Sequence, residues 1–354
     1  MKKIVYTIGT LLTGGAEVFV VNLIKALDKT KFKIYLIVLD KKNNTFLEDI
    51  IDRLGIDVYY LNKKAGFSLK TYFKVNKILR TIKPDIIHGN IGGIIYILLY
   101  IIFNKKIKVI HTSHTSPKME FGRLKRYILN YFYKRKKIIP VVISKENYIE
   151  YLKTYRINEE LLHLINNGVD TNKFKTNRNF NGDTIRLGHI GRFEEVKNHK
   201  LIVEIYKELR KKNNTSLRLV GAGSLLNIIK EKLENEKVVF IEETKKVEEE
   251  LKLIDIFVFP SLYEGLPLSL IEAMASGCVI VASDVGGIKD LIEDGINGYK
   301  YKSDDLMAFV MKIQDLINNR NMMQEISNNN ISKAKLFSLD KMVNEYIKLY
   351  LKEI

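Results

Sequence analysis

The chain of 354 residues has one cysteine, Cys278. A disulfide framework and a cysteine-rich zinc site are therefore excluded. Long hydrophobic runs are missing too. The longest apolar stretch, 91–103, has 13 residues. A membrane-spanning helix needs about 20, so a buried helix is expected there. Met1-Lys2-Lys3 leads straight into a short strand-like run ended by Gly9, which is not the pattern of a secretion signal. Neither a Gly-x-Gly-x-x-Gly dinucleotide fingerprint nor the Gly-Lys-Ser/Thr of a P-loop occurs. What remains is an ordinary globular balance, 46% hydrophobic and 28% charged, which excludes a disordered or fibrous chain. At about 150 residues per domain, two domains are expected.

Acidic side chains are scarce in one half only. The net charge is +17. Residues 1–170 hold 30 basic and 14 acidic side chains, and the remainder holds 28 and 27. The excess in the first half points to an anionic partner, nucleic acid or anionic lipid. The densest patch is 118–137, where Phe121, Leu124, Ile128, Leu129 and Phe132 recur at helical spacing. Arg123, Lys125, Arg126, Lys134 and Arg135 surround them, with Tyr127, Tyr131 and Tyr133 interleaved. This basic amphipathic helix suits a membrane surface, or else a solvated face on a packed helix. A second basic run, 63–83, alternates with Phe67, Leu69, Tyr72, Phe73 and Val75. No zinc finger, helix-turn-helix or RNP-like strand is visible, so no nucleic-acid partner is expected.

Strand-like and helix-like segments alternate along the whole chain, which implies parallel strands with crossover helices. Strands are expected at 3–8, 33–39, 57–60, 85–88, 108–112, 138–142 and 162–165. Helices fall between them at 16–27, 69–81, 92–103, 121–133 and 145–155. Periodicity lapses over 166–183, which is rich in Asn, Gly and Thr and reads as a linker. Strands then resume at 184–190, 216–220, 237–240, 256–259, 278–281 and 298–301. The later helices are 200–211, 225–234, 247–253, 268–275, 305–318, 321–337 and a closing 339–352. This is an α/β chain of two Rossmann-like domains with a cleft between them, and ligands are expected on loops at the carboxyl ends of strands.

Four loops could hold chemistry. Gly14-Gly15 lies between the first strand and helix, where backbone N–H groups can approach an anion, or form a flexible turn. His111 and His114 end a strand and could touch a sugar hydroxyl or phosphate, or cap the loop. Arg192 and Lys197 follow the first strand of the second domain, where two fixed cations suit a pyrophosphate. Glu264 sits in a Gly-Leu-Pro turn, and Glu272 lies eight residues on, among Leu268, Ile271 and Met274. A carboxylate in that setting is costly to bury without a partner, and a ribose diol would serve.

Gly14-Gly15-Ala16-Glu17, Asn166-Asn167-Gly168-Val169-Asp170, Gly191-Arg192…Lys197-Asn198 and Glu264-x7-Glu272 occur in this order. Together they resemble the GT-B glycosyltransferases of family 4, retaining enzymes that use nucleotide sugars. The stretch 260–277 is similar to members that build capsular, exo- or lipopolysaccharide. The resemblance covers essentially the whole chain. It implies an acceptor-binding domain over 1–165, a linker over 166–183, and a nucleotide-sugar domain over 184–337. A helix within 338–354 would return to the N-terminal domain.

By the same resemblance Arg192 and Lys197 would neutralise the donor diphosphate, and Glu272 would hold the ribose. Glu264 would meet the donor sugar, with Gly265, Leu266 and Leu268 offering N–H groups. Gly14 and Gly15 would approach the diphosphate across the cleft. His114, with His111 as the competing choice, would face sugar and acceptor. The catalytic set would be Arg192, Lys197, Glu264 and His114, with no metal and no cofactor beyond the nucleotide sugar, by default a UDP-sugar. Transfer would pass through an oxocarbenium-like transition state, helped by domain closure. The acceptor would be a saccharide or a lipid-linked saccharide, at an anionic membrane surface reached through Arg123, Lys125, Arg126, Lys134 and Arg135. The protein would be cytoplasmic, at the inner membrane face. Glu242-Glu243-Thr244 and Lys289-Asp290 depart from the family pattern near the expected base and donor-sugar contacts. The alternatives are an inactive subunit partnering another transferase, a nucleotide-sugar epimerase, a phosphorylase, or a nucleic-acid-binding protein.

Overall fold

The computed structural model describes residues 1–352. Glu353 and Ile354, which end the expected closing segment 338–354, lie outside the described residues. The chain divides into two units: Met1–Asn167 with Leu339–Ile354, and Gly168–Ser338.

The first unit alternates β1 (Lys2–Ile8), α1 (Gly15–Ala26), β2 (Phe32–Val38), α2 (Phe46–Arg53), β3 (Asp57–Tyr60) and α3 (Leu69–Ile82). It continues with β4 (Ile86–Asn90), a 3-10 stretch (Ile91–Ile97), α4 (Leu98–Phe103), β5 (Lys108–Ser113), α5 (Pro117–Glu120) and α6 (Arg123–Lys134). The last elements before the crossing are β6 (Ile139–Val142), α7 (Lys145–Tyr155) and β7 (His163–Leu164). The strands form one parallel sheet in the order β3-β2-β1-β4-β5-β6-β7. Strands buried on both faces read as near-continuous Ile, Val and Leu, as β1 and β2 do. One face packs under α3, α4, α6 and α7, the other under α1 and α2.

The second unit runs β8 (Ile185–Ile190), α8 (His199–Arg210), β9 (Thr215–Val220), α9 (Leu226–Lys232), β10 (Val238–Ile241) and α10 (Val247–Lys252). Next come β11 (Ile256–Phe259), α11 (Leu268–Ala275), β12 (Val279–Ser283), α12 (Ile288–Leu291), β13 (Tyr299–Tyr301), α13 (Leu306–Asn318) and α14 (Arg320–Ala334). Its parallel sheet is ordered β10-β9-β8-β11-β12-β13. In each sheet the strand order reverses beside the first strand, between β1 and β4 and between β8 and β11. In open α/β sheets ligands bind outside the carboxyl ends of the strands at that point.

The final helix, α15 (Leu339–Leu351), belongs to the first unit. A buried polar chain fixes it. The Tyr350 hydroxyl lies 2.8 Å from that of Tyr6 and 2.7 Å from His88 Nδ1. His88 Nε2 meets Thr112 Oγ1 at 2.7 Å, and Thr112 meets the Tyr346 hydroxyl at 2.9 Å. Lys108 donates to the carbonyls of Leu349 and Tyr350, placing a cation at the negative end of the helix dipole.

The structure departs from the sequence reading in several places. The expected helix over 92–103 begins as a 3-10 stretch and is α-helical only from Leu98. Gly93 packs so closely on Thr7 that a Cβ would clash there, and Ile91 sits at φ 49°. The expected helix over 121–133 starts only at Arg123, because Phe121 and Gly122 are extended, and a separate short helix, α5, precedes them. Leu124 and Ile128, assigned to its apolar stripe, are exposed, and the buried face is Leu129, Phe132 and Tyr133. The expected linker 166–183 is largely part of the second unit from Gly168 on. Arg178 is buried there and donates to the carbonyls of Ser276, Leu251 and Ile254, the C-terminal ends of α10 and α11. Three short helices, α2, α5 and α12, were not expected.

Candidate functional site

In the second unit the loops after β8 and β11 meet at the sheet's reversal. Leu262 N–H donates to the Val196 carbonyl at 2.8 Å. Asn198 takes a left-handed backbone, φ 53°, and its amide reaches the carbonyls of Pro260 (3.2 Å) and Ser303 (2.8 Å). Lys197 and Glu264 are thereby brought together, Nζ to Oε1 at 2.6 Å, with both side chains largely buried. The Lys197 ammonium also lies 5.0 Å from the centre of the Phe259 ring. Arg192, one residue beyond Gly191, is exposed and has no carboxylate partner among the described residues.

Glu264 is held by its backbone. Gly287 N–H donates to the Glu264 carbonyl at 3.1 Å, and Gly286, at φ 51°, lies where any Cβ would run into that carbonyl. Leu266 and Leu268 are buried and anchor the turn. The first N–H groups of α11 have no partner within the helix, which makes its start an anion-binding end. On α11 itself Glu272 is half-buried. Burial pushes its carboxyl up to about 7; the Lys173 charge partly offsets this and Glu248 adds to it. Lys173 is 2.9 Å from Glu248. A carboxyl poised this way gains from a partner that donates two hydrogen bonds, as a vicinal diol does.

In the first unit Gly14 and Gly15 open α1. Thr10 donates to Glu17 at 2.8 Å, and a Cβ on Gly14 would strike the Glu17 carboxylate, whereas Gly15 faces open space. The two histidines separate clearly. His111 is buried with both ring nitrogens engaged, by the Tyr133 hydroxyl at 2.6 Å and by Glu120 at 3.0 Å. His114 uses Nε2 on Asn90 at 3.1 Å, and its buried Nδ1 has no partner. Burial, with His111 nearby, pushes the His114 imidazole down to about 3, so it is neutral at physiological pH. Arg123, Lys125 and Lys134 are exposed on α6, as is Arg135 at its C-cap. Arg126 turns inward to the Phe121 carbonyl at 3.1 Å. Leu124, Tyr127, Ile128 and Tyr131 form an exposed apolar stripe among these cations.

Sequence reasoning missed Gly221 and Gly223. These follow β9 and press on the carbonyls of Gly191 and Phe193, where a Cβ would clash. They shape the Arg192 loop. The signal was a Gly-x-Gly directly after a strand.

Both halves of the chain match known families. Residues 13–173 match Glycosyltransferase Family 4, and residues 170–333 match Glycosyl transferases group 1. The capsular polysaccharide biosynthesis glycosyltransferase CapH of Staphylococcus aureus is 26% identical, over 80% of this chain and 82% of that protein. The Campylobacter jejuni GalNAc-alpha-(1->4)-GalNAc-alpha-(1->3)-diNAcBac-PP-undecaprenol alpha-1,4-N-acetyl-D-galactosaminyltransferase is 24% identical, over 99% of this chain and 98% of that one. Among solved structures, Anabaena Alr3699/HepE in complex with UDP and glucose superposes with a TM-score of 0.83 at 17% identity, covering 99% of each chain.

Proposed function

We infer that this chain, which belongs to the family 4-like GT-B glycosyltransferases, transfers a sugar from a UDP-sugar to a lipid-linked saccharide. Glycosyl transfer in polysaccharide or lipid-linked saccharide synthesis is the activity; donor, acceptor and stereochemistry are the proposal. The observation that supports it most is the Lys197–Glu264 pair beside the start of α11, the helix that carries the poised Glu272. In this reading Arg192 and Lys197 receive the diphosphate, without a metal. Glu272 holds the ribose hydroxyls. Glu264 turns from Lys197 to the donor sugar's hydroxyls as the phosphates take over the ammonium. UDP as donor nucleotide is supported by the UDP and glucose named with HepE.

The anomeric carbon–oxygen bond breaks, and its electron pair leaves on the diphosphate. The oxocarbenium-like centre is attacked on the same face by the acceptor hydroxyl, whose proton passes to the departing phosphate oxygen. Configuration is retained. The protein's part is to stabilise the departing charge with preorganised cations and helix N–H groups. His114, neutral and with its Nε2–H donated to Asn90 Oδ1, is left with Nδ1 as an acceptor for a substrate hydroxyl.

The acceptor is proposed to be membrane-borne. The first unit holds 33 basic and 16 acidic side chains, net +17, and the second holds 25 of each. No helix among the described residues is long and apolar enough to cross a membrane. The exposed stripe of α6 with its flanking cations suits an anionic lipid surface. Nucleotide release from UDP-, GDP- and ADP-sugars, with and without a membrane lipid extract, tests the reading. Release with one donor, dependent on extract and lost in Glu272→Ala, is expected. No release with any donor, together with no nucleotide binding by calorimetry, would contradict it. Pelleting with anionic but not neutral liposomes at low salt tests the membrane part.

A further inference from the structure

Strand β5 ends in His111-Thr112-Ser113, and the short helix α5 follows, closing on Glu120. The Glu120 side chain turns back to the strand before it and is only 1% exposed. His111 Nε2–H donates to Glu120 Oε1 at 3.0 Å, and the Tyr133 hydroxyl donates to His111 Nδ1 at 2.6 Å. The Ser113 hydroxyl is shared between Glu120 Oε2 and the Thr115 carbonyl, 2.9 Å away. One buried carboxyl group thus gathers side chains nine and seven positions back along the chain. The His111 ring also packs against Phe121 and lies 10° from parallel with that of Tyr133.

Stability does not call for this arrangement. Burying a carboxyl group is costly, and well-packed apolar side chains in place of such a pair are often neutral or stabilising. What an apolar residue could not do is hold the backbone on both sides of His114. Ser113 and Thr115 flank that residue, and the hydroxyl that Glu120 engages joins them. Two further contacts set the His114 ring. It meets Phe19 edge-on, 4.8 Å between centres, and Nε2–H donates to Asn90 Oδ1 at 3.1 Å. Asn90 closes β4, so the ring bridges the ends of two neighbouring strands. Its Nδ1 is left buried and without a partner. A site group is held to its geometry by hydrogen bonds of this kind, one layer behind it.

We propose that Glu120 is a positioning residue for His114, with His111 and Ser113 as the groups it acts through. His111 is then the anchor of Glu120 and not a second contact for the sugar. The role in transfer rests on the glycosyltransferase reading, in which His114 Nδ1 accepts from a substrate hydroxyl; the positioning itself does not. A displacement of about 1 Å at such a group can cost about a hundredfold in rate. A side chain that never touches substrate thereby acts on the transfer step.

The test uses the full chain with isotopically labelled histidine, whose ring-nitrogen NMR signals report which nitrogen carries hydrogen and what surrounds it. In Glu120→Ala the His114 signals are expected to move, while those of His88, buried in the same sheet, stay and report that the first unit is folded. Glu120→Gln keeps an acceptor for His111, and its amide can donate to Ser113 Oγ, so His114 is expected to stay in place. Ser113→Ala, which leaves the His111–Glu120 pair intact, is expected to move His114 as Glu120→Ala does. In the transfer assay Glu120→Ala is expected to lower kcat about tenfold or more with donor KM unchanged, and Glu120→Gln to stay within about threefold of the parent. An unmoved His114 in both alanine variants would overturn the proposal. So would a shift of His88 together with His114, which marks a general structural role. A Glu120→Gln variant as slow as Glu120→Ala with His114 in place would assign the effect to charge and overturn it too. A displaced His114 with kcat unchanged would uphold the positioning and contradict the role of His114 in the glycosyltransferase reading.

Discussion

Lys197 and Glu264 form a 2.6 Å ion pair although they lie 67 positions apart in sequence. The two loops that carry them are tied by backbone, so neither side chain has to search for the other. Removing one partner leaves a largely buried charge without its counter-charge, which costs more than the pair itself contributes. Lys197→Ala and Glu264→Ala are each expected to lower stability by about 1–3 kcal/mol, and the double variant to lose less than the sum. Urea denaturation of the four proteins measures this. Strict additivity would mean that the contact has no energetic coupling.

The proposed ribose contact of Glu272 predicts that nucleoside binding depends on pH. Its carboxyl is pushed up to about 7 by burial, and ribose hydroxyls donate to the ionised form. Affinity for uridine, which carries no phosphate to titrate, is therefore expected to rise as pH increases through about 7 and to flatten above 8. Proton release should accompany binding near pH 6–7. Glu272→Gln should show neither effect. The stability sign is opposite to that of a paired carboxylate: the folded state holds its proton above the ordinary carboxyl range. Glu272 therefore costs stability progressively as pH rises from about 4.5 to 7, and Glu272→Gln should gain about 1–3 kcal/mol at pH 8.

Four buried imidazoles act the other way. His88 and His189 are held well below the ordinary histidine range by burial, His199 is pushed down to about 4, and His114 to about 3. In the unfolded chain each takes a proton near pH 6.5. Stability is thus intact above that value and falls as pH drops below it, by up to about 1.4 kcal/mol per pH unit for each histidine. Melting temperatures from pH 7.5 to 5 should decline steeply. A flat profile would mean that these imidazoles protonate in the folded state.

Ile91 tests backbone strain just after β4. Glycine relieves the left-handed backbone but loses a half-buried side chain and adds unfolded-state entropy. Ile91→Gly is expected to fall within about 1 kcal/mol of the parent. Ile94→Ala, three residues on and fully buried, should cost about 2–5 kcal/mol. A large loss at Ile91 would show that the conformation is not strained.

Much of the fold was legible because strand and helix periods alternate cleanly. The bounds of α7, β11 and α11 coincide with those expected from sequence. The α2 helix was missed although Thr45 and Glu48 form a capping box, a signal present in the sequence. Arg178 could not be found: an arginine among Asn and Thr reads as solvated loop, and its partners are backbone carbonyls some 70 to 100 positions away. On α6 the period gave a helix but not its inner face, because apolar residues lie on two sides of it. In the site, residue types and spacing marked Arg192, Lys197, Glu264 and Glu272. The glycines that hold their loops act through backbone contacts: Gly221 was marked only by the Gly-x-Gly after β9, and Gly286 by no local pattern. His111 and His114 were indistinguishable in sequence, and the buried Glu120 and Tyr133 set them apart.

The central claim is that the second unit's site transfers a sugar to an acceptor. The most direct measurement is mass spectrometry of a membrane lipid extract incubated with the active donor sugar. A lipid-linked product heavier by one sugar residue, formed by the parent and absent with Arg192→Ala/Lys197→Ala, is predicted. Nucleotide release with no gain in acceptor mass would contradict the account.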